Sequence, residues 1–353
     1  MAGLSLKDTD RFLPLNLGAT AHATLQRFID IDVSAEDLVQ ILRADRRYQA
    51  LFREFVDQKI KVREPGDEEA SDGVKPKVEK KRTPTHRLIG LLGMIGSRNL
   101  ILALRMNEAV AGEFPRGAEG KLDLKAADYL KCGPQAEEFF QRNRIAYPET
   151  AYAAGVYFDW IYLKLKAQGS LPKLEPFFQQ TWKTALRAGL IAYELAKVVP
   201  GQLPQQCFPA MVAAYGGKLL LAESYGDAYV EFLKTQAGSI RLDSLSELIL
   251  ERENFGLSFE EVAAHALAHF SIFSGYAPAV RHAREPYLLR GLDTAHERQA
   301  NILLIADRAA QSNKIPNGET DPSLALLGPR ACRTLGISPA RLIETLKKVA
   351  AYR

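Results

Sequence analysis

The sequence predicts an all-α protein, because apolar residues recur at helical spacing through most of its length. Residues 34–37 and 258–261 read Ser-Ala-Glu-Asp and Ser-Phe-Glu-Glu, which is the Ser-to-acid spacing of a helix N-cap. A hydrophobic fraction of 47% with 25% charged residues is typical of a globular chain that buries a sizeable core. We therefore expect a multi-helix bundle.

The first helices are predicted within residues 1–60. An apolar face at helical spacing begins at Leu25 and Phe28, and a second stripe runs from Leu38 to Val56 after the cap at Ser34. This pattern indicates amphipathic helices that bury one side.

Residues 61–82 are predicted to be a flexible charged insertion. Acidic residues come first and basic residues follow: Glu64, Asp67, Glu68, Glu69 and Asp72, then Lys75, Lys77, Lys80, Lys81 and Arg82. Such a segment cannot bury enough apolar surface to offset the entropy lost on ordering. The alternative is a basic docking tail for an acidic partner.

Residues 83–170 are expected to complete an N-terminal helical subdomain. A helix is predicted to start at Thr83–His86, and Gly90, Gly93 and Gly96 allow helices to approach closely. These glycines are not a phosphate loop, because no strand precedes them and no GK[ST] follows. Aromatic residues are dense farther on and predict a core or a helix–helix seam: Tyr147, Tyr152, Tyr157, Phe158, Trp160, Tyr162 and Trp182.

Charge and cysteine usage favour a cytoplasmic protein. The net charge of +4, from 46 basic and 42 acidic residues, is too small to indicate nucleic acid or an anionic membrane as a partner. Cys132, Cys207 and Cys332 lie far apart without a CxxC motif, as expected for reduced thiols. We expect no export signal and no membrane insertion, since polar residues interrupt every long apolar run.

Four segments follow one another in a recognisable order: YGGKLLLA at 215–222, FGLSFEEVAA at 255–264, APAVRHAREP at 277–286 and ILLIADRAA at 302–310. Together they resemble the output-domain branch of the HD phosphohydrolase superfamily, called HDOD. The resemblance covers roughly Phe12 to Ala310. It implies an HD-like helical core over residues 171–313, with a C-terminal helical tail over residues 314–353.

The resemblance also implies that the metal site of the catalytic relatives is degenerate. Six ligand positions carry other residues, and one acid is kept: Thr184, Ala214, Tyr215, Phe259, Ala283 and Arg284 replace His or Asp, and Asp307 remains. A catalytic divalent ion needs several convergent donors and an open position for water. One carboxylate cannot hold the ion, so we expect no catalytic residue, no metal and no cofactor.

The implied function is a non-catalytic signalling or scaffold protein. The resemblance places it in bacterial signal transduction, with a response regulator or a cyclic-di-GMP enzyme as partner. Asp307 is expected to be a helix-packing acid paired with Arg308 or Arg281. Two further helices are predicted in the tail, from Asp321 and from Ser338, the second with this buried stripe: Leu342, Ile343, Leu346 and Val349.

Two alternatives stay open. A metal-dependent phosphohydrolase would use a non-standard site, which the spacing of His265 and His269 on one helix face suggests, together with His282 and Asp307. A small-ligand sensor would bind a nucleotide or another small anion in the vacated pocket, beside these cations: Lys218, Arg281 and Arg284.

Overall fold

The computed structural model describes residues 34–63, 85–111, 114, 116, 130–238, 244–268, 274–290, 294–311 and 332–352. The chain divides into two compact units, of which one comprises Leu15–Lys131 and the other contains the residues from Cys132 onward. Within the described residues the regular elements are helices, which confirms the all-α prediction.

The first unit contains four described helices: α1 (Ala35–Ala44), α2 (Arg46–Arg63), α3 (Thr85–Leu92) and α4 (Met94–Ala111). The predicted cap is present, since the Ser34 hydroxyl accepts a 3.2 Å hydrogen bond from the Asp37 amide and the Asp37 carboxylate accepts one of 3.0 Å from the Ser34 amide. Gly93, with φ +78°, separates α3 from α4. The helix start at Leu25 and residues 64–82 of the charged segment lie outside the described residues.

No single described helix is sufficiently long and apolar to cross a bilayer, whereas α3 and α4 pass that test as a pair bent by 105°.

In its described residues the second unit contains ten further α-helices: α5 (Cys132–Arg142), α6 (Pro148–Ala167), α7 (Leu171–Val198), α8 (Pro204–Tyr225), α9 (Asp227–Gly238), α10 (Ser244–Phe255), α11 (Phe259–Ala268), α12 (Ala277–Arg281), α13 (Thr294–Gln311) and α14 (Pro339–Ala350). Two 3-10 turns, Ser274–Tyr276 and Pro286–Leu289, flank α12. Helix α8 contacts α6, α7, α11 and α13. Because it is surrounded, α8 is apolar on nearly every side.

Close packing around α8 depends on glycine. A Cβ atom at Gly217 would lie 2.0 Å from the backbone oxygen of Phe259, and one at Gly216 would lie 2.5 Å from the ring of Tyr157. These positions therefore bring α11 and α6 against the backbone of α8.

The division between the units falls at residue 131, whereas the sequence suggested a boundary at residue 170. Helices α5 and α6 pack on each other, and α6 also packs on α8. The Asp159 carboxylate accepts 2.9 Å hydrogen bonds from the amides of Cys132 and Gly133, so it holds the start of α5. Four aromatic residues of α6 are buried in the core of the second unit, namely Tyr152, Tyr157, Phe158 and Trp160. Tyr162 is half-buried, and Tyr147 before the helix is exposed.

Helix α14 packs on α7. The Ser338 hydroxyl caps it by accepting a 3.2 Å hydrogen bond from the Arg341 amide, as the sequence predicted. Leu342, Leu346 and Val349 are buried, but Ile343 is 37% exposed, so its place in the predicted stripe was wrong. The other predicted start, at Asp321, lies outside the described residues.

Candidate functional site

The second unit brings most of the substituted positions onto neighbouring elements. Thr184 lies on α7, Ala214, Tyr215 and Lys218 on α8, Phe259 on α11, Ala283 and Arg284 in the turn after α12, and Asp307 on α13. Five of these side chains form a connected network: Tyr215, Lys218, Phe259, Arg284 and Asp307. Thr184 instead donates a 2.9 Å hydrogen bond to the Gln180 carbonyl of its own helix.

Asp307 is the retained acid and is buried. It accepts hydrogen bonds of 2.7 Å from the Tyr215 hydroxyl and 2.8 Å from the Gln311 side chain. Burial by itself raises the pKa of the Asp307 carboxyl, but Lys218, Arg308 and the two hydrogen bonds outweigh burial and leave the pKa below its ordinary value. Asp307 is therefore a satisfied anion inside the helix packing.

The expected direct pairing of Asp307 with an arginine was wrong. The Arg308 guanidinium binds both carboxylate oxygens of Glu247, at 3.0 and 2.7 Å, and thereby joins α13 to α10. Arg281 is exposed at the end of α12. The side chains that hydrogen-bond Asp307 are neutral, and positive charge acts on it from nearby without a hydrogen bond.

Lys218 lies against aromatic faces. Its Nζ atom is 4.3 Å from the centre of the Tyr215 ring and 4.4 Å from that of Phe259. The Arg284 guanidinium is 4.5 Å from the centre of the same Phe259 ring. Cations at this distance are attracted to the ring quadrupole, so Phe259, which replaces a histidine of the implied site, contacts two positive charges.

Arg284 occupies a buried cluster with two acids. It forms ion pairs with Glu251 of α10 and Glu260 of α11, and all three side chains are at most 6% exposed. The Tyr229 hydroxyl of α9 donates a 2.6 Å hydrogen bond to Glu251. Burial raises the pKa of Glu260 to about 7, with a further upward contribution from Glu251 and opposition from Arg284.

Glu251 and Tyr229 were missed at the sequence level. One available signal is the position of Glu251 within α10, three residues after buried Leu248 and four before buried Phe255. An acid on the buried face of a helix calls for a cationic or hydrogen-bonding partner.

A second set of ion pairs lies beside this cluster. The predicted capping box at the start of α11 is present, because the Glu261 carboxylate accepts a 2.8 Å hydrogen bond from the Ser258 amide. Arg252 of α10 contacts both Glu261 and Glu285 at 3.0 Å. Burial and the charge of Arg281 lower the pKa of nearby His282.

The described residues include only part of the two alternative sites, which are the non-standard metal site and the anion pocket. Among the described residues, no group of three or more His, Cys, Asp or Glu side chains could hold a metal ion. His265 lies on α11, while His269 is outside the described residues. Of the three cations proposed for an anion pocket, Arg284 already forms ion pairs with two acids, and Lys218 already lies against two aromatic rings.

No family model and no curated protein matches this chain. The crystal structure of the MmoQ response regulator from Methylococcus capsulatus str. Bath is similar over 93% of this chain and 95% of its own, with 17% sequence identity and a TM-score of 0.38. The structure of fragment 20–298 of the same regulator is similar over 92% of both chains, with 15% identity and a TM-score of 0.34.

Proposed function

We propose that this chain is a non-catalytic signalling or scaffold protein that binds protein partners in bacterial signal transduction. The resemblance of its four ordered segments to output-domain proteins supplies the setting. The observation that carries the proposal is the state of Asp307, whose carboxylate accepts hydrogen bonds from Tyr215 and Gln311. A carboxylate satisfied in this way is a packing element and is a poor ligand for an ion.

The neighbouring substitutions support the same proposal. Three of them make contacts between helices: Tyr215 joins α8 to α13, Phe259 contacts Lys218 and Arg284, and Arg284 joins α10 to α11. In this proposal Tyr215, Phe259 and Arg284 stabilise the helix packing of the core, and the surface of the second unit is available to bind partners. A cytoplasmic response regulator or cyclic-di-GMP enzyme is the class of partner that the resemblance implies.

The catalytic part of the proposal is tested by measuring metal content and hydrolysis in the same preparation. We expect protein purified without chelator to hold no stoichiometric divalent metal and to hydrolyse no phosphomonoester, phosphodiester or nucleotide. Asp307→Asn and the matched surface change Asp227→Asn should then be indistinguishable in both assays. Stoichiometric metal that is lost in Asp307→Asn and kept in Asp227→Asn would favour the phosphohydrolase alternative.

The partner part is tested by cross-linking the tagged protein in its native cytoplasm and identifying the linked proteins by mass spectrometry. We expect a response regulator or a cyclic-di-GMP enzyme, followed by saturable binding of the purified pair in calorimetry. Thermal stabilisation by a nucleotide, without a protein partner, would favour the sensor alternative, because a ligand that binds the native state raises its stability.

A further inference from the structure

The cluster around Arg284 contains two buried acids and one buried guanidinium. Glu251 and Glu260 both contact the one guanidinium, and the three side chains are 2%, 1% and 6% exposed. The Tyr229 hydroxyl, which also bonds Glu251, keeps its proton because burial and Glu251 raise its pKa well above the ordinary value. With both acids ionised, the cluster would carry a net charge of about −1 in a dry interior, which is unfavourable.

Other charged groups face the cluster from the helices packed around it. Lys218 of α8 lies across the Phe259 ring from Arg284, and Arg308 of α13 acts on Arg284 from a distance. Lys218 is also the cation beside Asp307, and Arg308 is bound to Glu247. Each of these cations therefore already compensates the charge of another acid. As a result, the second carboxylate of the cluster lacks a full compensating positive charge.

We propose that Glu251 and Glu260 together hold one proton near neutral pH, and that release of this proton weakens the packing of α10 and α11 around Arg284. The shared proton makes the cluster neutral, with one ionised carboxylate for the guanidinium and one neutral acid. The pKa of about 7 for Glu260 agrees with this geometry.

Protonation of this pair would therefore control the packing where α10, α11 and the turn after α12 meet. Arg284 lies in the turn after α12, Glu251 on α10 and Glu260 on α11, so added charge affects all three. A carboxyl whose pKa is higher in the folded state stabilises the fold while it is protonated. That stabilisation is fully present below the unfolded pKa of 4.5 and is lost as pH rises through about 7.

The test compares urea unfolding of the natural protein with that of Glu260→Gln between about pH 5 and about pH 8.5. Other titrating groups are common to both proteins and cancel in the ratio of their unfolding constants. We expect the natural protein to become less stable relative to the variant, by up to about tenfold per pH unit below pH 7, with a plateau above it. A ratio that is constant across the range would overturn the proposal.

Two more variants make the result specific. Glu251→Gln leaves one acid for Arg284, so its pH profile should follow that of Glu260→Gln. Glu231→Gln is the matched control, because Glu231 is an exposed acid paired with Lys234. Its unfolding constant should keep a fixed ratio to that of the natural protein. A pH profile for Glu251→Gln that matches the natural protein would refute a shared proton.

Direct titration keeps the proposal testable even if Glu260→Gln fails to fold. In the natural protein labelled with carbon-13 at glutamate carboxyls, one NMR signal should titrate near pH 7 and vanish from that range in Glu251→Gln. Hydrogen exchange of α10 and α11, corrected for intrinsic rates, should increase above this pH. Titration of every glutamate below about pH 5.5 would show that the pair holds no proton at neutral pH.

Discussion

The Tyr215 hydroxyl lies 2.7 Å from the Oδ1 atom of Asp307 and donates a hydrogen bond that joins α8 to α13. Both side chains are buried, so this bond replaces contact with water for an ionised carboxylate. By the family resemblance, Tyr215 stands in the position of a metal-binding acid. The substituted residue thus satisfies the one acid that remains.

Removing this hydroxyl should destabilise the second unit. We expect Tyr215→Phe to lower the free energy of unfolding by about 1–3 kcal/mol, because Asp307 would lose a hydrogen bond in a buried site. Urea unfolding followed by circular dichroism measures the change. Tyr287→Phe, at an exposed tyrosine, is the control and should change stability by less than about 0.5 kcal/mol. Equal effects of the two variants would contradict the structural role of the bond.

Asp307 should contribute stability that depends on its ionisation. Its pKa is below the ordinary value of 3.8 in the folded protein, so its stabilising effect is present above that pH and lost as pH falls through the folded pKa. Asp307→Asn should therefore be less stable than the natural protein at pH 7, and the difference should shrink in acid. A difference that stays constant down to about pH 3 would show that the charge is unimportant.

Gly217 should tolerate no side chain. An added Cβ would meet the Phe259 backbone oxygen at 2.0 Å, so we expect Gly217→Ala to cost at least about 3 kcal/mol or to prevent folding. Gly90→Ala is the matched control, because Gly90 lies within α3 and has open space around it instead of the close helix approach that the sequence suggested. That change should raise stability by about 0.5–1 kcal/mol through helix propensity. Thermal unfolding of both variants decides between these outcomes.

Helix α14 offers a paired test of burial. Leu346 is 5% exposed and Ile343 is 37% exposed, although both are large aliphatic residues of the same helix. We expect Leu346→Ala to cost about 2–4 kcal/mol and Ile343→Ala less than about 1 kcal/mol. The two losses are measured from the urea unfolding midpoints, provided that the free energy of unfolding falls with urea concentration at the same slope in both variants. Similar losses would mean that α14 packs through a different face.

Cys207 should be unreactive in the folded protein. Burial raises its pKa to about 12, and a hydrogen bond with Gln299 opposes this change more weakly. Because the thiolate is the reacting form, iodoacetamide at about pH 8 should leave Cys207 unmodified until the protein is unfolded. Mass spectrometry of the digested protein identifies the labelled cysteines. Equally fast labelling in the presence and absence of urea would contradict its burial.

Local features were predictable from the sequence because they depend on neighbouring residues. The helix caps at Ser34, Ser258 and Ser338 need only a side chain three residues from its backbone partner, and all three are present. Each cap depends only on residues that are close in sequence, so the sequence alone is sufficient to predict it.

The polar network was predictable only in part because its contacts connect distant residues. Arg284 was recognised as a notable cation, but the 33 residues that separate it from Glu251 gave no indication of their pairing. Asp307 was singled out as a packing acid, yet its partner Tyr215, 92 residues away, was not foreseen. Helix packing decides which acid meets which base, and periodicity defines only the buried face.

Tryptophan fluorescence reports on only one of the two units, because of where Trp160 and Trp182 lie. These are the two tryptophans of the chain, and both lie in the unit that begins at Cys132. Selective excitation at about 295 nm should therefore follow the loosening of that unit alone, because transfer of buried indole rings to water shifts their emission to the red. The ellipticity of the chain sums over both units, so non-coincident transitions would show that they unfold separately.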